Sequence, residues 1–79
     1  MVLHWTSEIA EFHTAEMPVR GGVLYLTVES LGEAGWDWHV WDERQRAPQL
    51  YGLGDTLEEA KGCAEGALEG MARQLSQAA

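Results

Sequence analysis

Residues 23–30, VLYLTVES, carry an aliphatic residue at every second position from Leu24 to Val28. In an extended chain Leu24, Leu26 and Val28 fall on one side, and Tyr25, Thr27 and Glu29 on the other. WDWHVW, residues 36–41, repeats the pattern, with Trp36, Trp38 and Val40 opposite Asp37, His39 and Trp41. β-Branched and aromatic residues dominate both runs, which therefore read as strands joined by an LGEAG hairpin loop. HW near the start and EFHTAE read as two shorter strands, and MPVRGG as a loop punctuated by Pro18, Gly21 and Gly22. DERQRAP is a polar surface loop, and QLYGL a short last strand at a sheet edge.

Beyond GDT the period changes from two to 3.6. Leu57, Ala60, Ala64, Leu68, Met71 and Leu75 share one stripe of a helix running from about residue 56 to 77. Asp55 or Thr56 is its N-cap; Thr56 with Glu59 has the spacing of a capping box, and Glu58 and Glu59 suit the positive helix end. One helix with one apolar stripe must bury it against the sheet. The expected fold is α+β: an antiparallel meander of three to five strands over about residues 3–53, with one C-terminal helix across its inner face. Leu24, Leu26, Val28, Trp36, Trp38 and Val40 supply the sheet side of the core.

Gly62, Gly66 and Gly70 disturb this helix. They recur every four residues on one side, and each costs roughly 0.5–1 kcal/mol against alanine. Such spacing gives a flat groove that another backbone can approach closely. A strand or loop of the same chain, or a second copy in a homodimer, would each account for it; a helix that merely tolerates its glycines needs neither.

Length and composition narrow the class. Seventy-nine residues, 46% hydrophobic with four Trp, make a single domain able to collapse around one core. The start shows neither a basic n-region nor an apolar stretch of signal-peptide length, and no run approaches a membrane span. With one cysteine, Cys63, no internal disulfide forms, and the expected location is the cytoplasm.

Thirteen Asp and Glu against five Lys and Arg leave a formal net charge of −8. That field repels nucleic acid and anionic lipid and steers the chain toward basic protein surfaces, although acidity also serves solubility. Glu58, Glu65 and Glu69, with Asp55 close by, project from one side of the helix as a ridge able to imitate a row of phosphates; a solvated face has the same pattern. On the outer sheet face Tyr25, His39 and Trp41 stand among Thr27, Asp37 and Glu29. Aromatics beside carboxylates suit partner binding, unless residues 1–13 fold over them. The partner-binding candidates are thus Asp55, Glu58, Glu65, Glu69, Tyr25, Asp37 and Trp41; those for self-association are Gly62, Gly66 and Gly70.

Catalytic chemistry finds no footing. His4, His13 and His39 lack the paired spacing of metal ligands, and Cys63 reads as a small packed residue with no histidine near in sequence to activate it. Paired carboxylates on one helix face supply no cleft for glycoside hydrolysis. RGG and GLGD lack the lysine and the context of a phosphate loop. The expectation is a non-enzymatic protein without cofactor or metal.

GWDWHVW followed by GLGDTLEEAK resembles small bacterial and phage strand–strand–strand–helix proteins, over about residues 23–70 and mostly at core and capping positions. At the level of class only, small size, acidity and absent catalytic residues resemble phage-encoded anti-CRISPR inhibitors. That resemblance implies a partner in a CRISPR effector complex, whose basic nucleic-acid-binding surface the protein would occupy. The alternative is a small homodimeric bacterial or phage accessory domain.

Overall fold

The structure is a computed structural model and describes residues 3–45 and 47–77, the last three through their backbone. Five strands follow one another: β1 (Thr6–Ile9), β2 (Phe12–Val19), β3 (Gly22–Ser30), β4 (Trp36–Asp42) and β5 (Leu50–Gly54). They pair antiparallel in the spatial order β1-β2-β3-β4-β5, and α1 (Leu57–Gln77) packs across β3, β4 and β5. The expected meander and helix are present.

β2 runs three residues further than EFHTAE suggested. Met17, Pro18 and Val19 continue the strand opposite Leu24, Val23 and Gly22, and the loop shrinks to Arg20 and Gly21. β1 pairs with β2 only as far as Thr14, so Pro18 lies where β2 is itself an edge, a position that tolerates its missing N–H. Gly21, at φ 87°, supplies the turn conformation that other residues adopt rarely.

The alternation places the faces as expected. Leu24, Leu26, Val28 and Val40 are fully buried beneath Ala60, Ala64 and Leu68 of α1. Removing each leucine or valine from water contributes about 1.5–3 kcal/mol. Trp36 and Trp38 lie on this inner face but are only half-buried, packed against the aliphatic cluster. The centre of the core is thus aliphatic, with tryptophans around its rim. Leu57 and Met71 complete the helix stripe; the side chain of Leu75, expected with them, lies outside the described residues, as does Arg46. Thr56 is the N-cap, its Oγ1 accepting a hydrogen bond from Glu59 N at 3.1 Å.

Residues 3–5 do not pair as a strand, and Leu3 and Trp5 pack on the helix side of the sheet. Trp5 donates from Nε1 to Glu65 Oε1 at 2.7 Å, and Lys61 Nζ stands 5.4 Å from the centre of its ring. The strand after it, β1, contains TSEI rather than HW.

Asp42 departs from the polar-loop reading. It ends β4 on the inner face, opposite Leu24, and is buried. Arg44 satisfies it with a fork: Nε to Oδ1 at 2.8 Å and Nη2 to Oδ2 at 2.7 Å, with the Arg44 backbone N–H also reaching Oδ1. These hydrogen bonds, with the guanidinium charge, hold the Asp42 carboxyl down at about 2.

Candidate binding face

The sheet has one covered side and one open side. β1 and β2 widen it and Leu3 and Trp5 pack on the helix side, while His4 borders a depression beside Thr14, Glu16 and Tyr25; among the described residues no strand or helix covers the outer face. Strand register arranges that face in three cross-strand rows. One runs Glu16–Tyr25–Trp41, the next Thr14–Thr27–His39–Tyr51, the third Phe12–Glu29–Asp37–Leu53.

The rings form a continuous path. His39 lies between Trp41 and Tyr51, with centroids 5.8 Å and 6.2 Å away and rings tilted by 33° and 30°. Trp41 is fixed from below by its Nε1 donating to Thr27 Oγ1 at 3.0 Å. Thr14 stands 3.1 Å, hydroxyl to hydroxyl, from Thr6. Around Thr14 the surface dips into shallow depressions, one of about 300 Å³ beside Tyr25, Thr27 and Trp41.

The charge on this face has one sign. Glu16, Glu29 and Asp37 lie on it, and none of the five strands contains Lys or Arg. Asp37 Oδ1 is shielded from solvent yet accepts no hydrogen bond among the described residues; His39 Nδ1 is 3.9 Å away. A shielded carboxylate oxygen without a donor is costly and is relieved by an incoming cation.

Tyr25, Asp37 and Trp41 are therefore brought together on one face. Asp55, Glu58, Glu65 and Glu69 lie elsewhere, before and along α1 on the opposite side of the sheet. A single flat partner cannot touch both sets. The helix ridge is also not a uniform solvated row. Glu58 is exposed, with Lys61 Nζ at 4.0 Å, but Glu65 is half-buried and engaged by Trp5, and Glu69 is half-buried. Spacing on the helix could not reveal this, because the interrupting residue lies 60 positions away.

Comparison with protein-family models, with curated proteins and with solved structures finds no match to this chain.

Around Gly62, Gly66 and Gly70 a Cβ would meet nothing within 4 Å beyond its neighbours and the helix's own backbone, so among the described residues no strand or loop packs against them. Close approach happens at other glycines. A Cβ on Gly52 would lie 2.7 Å from the Trp38 ring, one on Gly54 2.8 Å from Ala60 N, and one on Gly35 2.5 Å from Gly54 O. Cys63, expected to be packed, is exposed. Among the described residues no three His, Cys, Asp or Glu come together around a metal position, and no helix is long and apolar enough to cross a membrane.

Tyr51, Leu53 and Phe12 belong to the open face but were not among the sequence candidates. Their signal was available: alternation in QLYGL puts Tyr51 and Leu53 on one side, though only the β4–β5 register shows it is the side of His39.

Proposed function

We propose that this chain is a non-enzymatic binding protein that holds a basic protein surface against its helix-free sheet face. The observation that carries this reading is the ring path Trp41–His39–Tyr51 beside the unsatisfied Asp37 oxygen, on strands with no basic residue. Rings of this kind take guanidinium and ammonium groups by cation–π contact, worth about 0.5–2 kcal/mol each. Carboxylates add charge-assisted hydrogen bonds to the same groups. Surfaces that bind nucleic-acid phosphates are rich in those cations. The most concrete form of the reading is therefore an anti-CRISPR-type inhibitor that occupies the nucleic-acid-binding surface of a CRISPR effector complex. The net charge of −8 supports it by attracting such a surface at long range and opposing direct binding to DNA or RNA.

Capture of effector complexes on the immobilised protein, followed by competition with DNA, tests the proposal. Binding should weaken steeply as salt rises, since the screening length falls from ~10 Å at 0.1 M to ~3 Å at 1 M. Trp41→Ala should shorten the life of the complex, and Glu29→Lys should slow its formation. Glu58→Lys, on the other side of the molecule, should do much less. Salt-insensitive capture, or equal effects of Glu29→Lys and Glu58→Lys, would remove the sheet face as the binding surface.

A further inference from the structure

The two edges of the sheet are built differently. At β1 the register slips between Thr6 and Ile9, the Ser7 hydroxyl donates to the carbonyls of Ile9 and Phe12, and Glu8 is exposed. Bulges and charges of this sort are how an edge avoids further pairing. β5 has neither device. Its sequence, LYGLG, is uncharged, its register with β4 is regular, and no further strand lies beyond it among the described residues. Leu50, Tyr51 and Leu53 are 40%, 71% and 66% exposed.

The helix continues this neutral edge. The flank of α1 beside β5 presents Ala67, Gly70, Met71 and Gln74, which with Gln49 and Leu50 border a depression of about 410 Å³. The opposite flank carries Lys61 and Glu65 at Trp5. In a chain of net charge −8, the β5 edge is where a second equally acidic molecule meets least repulsion.

We propose that two copies of this chain pair through β5, antiparallel about a two-fold axis at Gly52. In that register Tyr51 of each copy stands opposite Leu53 of the other, on the outer face, and the two sheets join into one of ten strands. The nearest acidic residues in sequence, the two Asp55, are then about 20 Å apart along the strands, well beyond the ~8 Å screening length at physiological salt. The seam also leaves the open faces side by side. With α1 lying across β3 to β5 on each copy, the helix axes stay roughly three strand spacings, ~14 Å, apart. That exceeds the 8–10 Å of packed helices, so the seam does not depend on Gly66.

Sedimentation equilibrium of the whole chain from about 1 μM to 1 mM, without any partner, tests the proposal independently of the basic-partner reading. The wild-type mass should rise toward twice 8.8 kDa, and amide exchange across β5 should slow with concentration. Tyr51→Lys and Leu53→Lys change exposed side chains; each should match the wild-type melting temperature at about 1 μM, where wild type is also monomeric, and remain at the monomer mass throughout. Gly66→Leu should still double its mass. A monomer throughout the range, a dimer that survives both lysine variants, or a dimer lost in Gly66→Leu would each overturn the β5 seam.

Discussion

Asp42 shows how a single ionisable group depends on its place in the register. Its sequence neighbours, Glu43, Arg44 and Gln45, are exposed, yet its position opposite Leu24 turns it to the inner face. Arg44 holds its folded pKa at about 2, below the ordinary 3.8. A lowered folded pKa contributes stability that is complete above the unfolded value and is lost as pH falls through the folded one. Asp42→Asn should therefore lower the melting temperature at neutral pH. Its deficit against wild type should shrink as pH falls from 3.8 to about 2. Thermal melts of both proteins across that interval check it; a deficit that does not change with pH would assign the role of Asp42 to shape, not charge. Alternation does place Asp42 on the same side as Val40, but only the observed strand end shows that β4 extends to include it.

At the level of elements, glycine has opposite meanings in the sheet and the helix. Gly52 and Gly54 lie where the Trp38 ring and the backbone of α1 press against β5, and neither leaves room for a methyl group. Gly66 faces open space in the middle of α1. Gly52→Ala should destabilise the domain by about 1–3 kcal/mol by displacing Trp38. Gly66→Ala should stabilise it by about 0.5–1 kcal/mol through helix propensity. Chemical denaturation of the two variants gives the signs directly. The tryptophans divide similarly: Trp38→Ala opens the inner face and should cost about 3–5 kcal/mol, whereas Trp41→Ala on the outer face should cost less. Periodicity made the strand faces and the helix stripe legible, because each pattern lies within one element. It could not show which glycines are approached closely, since that depends on which strands meet which helix. The extension of β2 through Pro18 was hidden for a related reason: a proline breaks an interior strand, and only the short reach of β1 makes this stretch an edge.

Across the whole molecule every strand pairs with its neighbour in sequence, so the sheet closes through short connections. The contact between Trp5 and Glu65 is of another kind, joining positions 60 residues apart. Closing so long a loop is entropically costly until the intervening structure exists. The clasp of residues 3–5 on α1 should therefore form after the folding barrier has been crossed. Trp5→Phe, which removes the indole donor and keeps an aromatic ring, should leave the refolding rate nearly unchanged while accelerating unfolding. Stopped-flow measurements in denaturant would show the two limbs responding unequally; a slower refolding limb would place the clasp in the nucleus. The N-terminal segment then acts as a latch on a finished domain, slowing its opening without helping to assemble it.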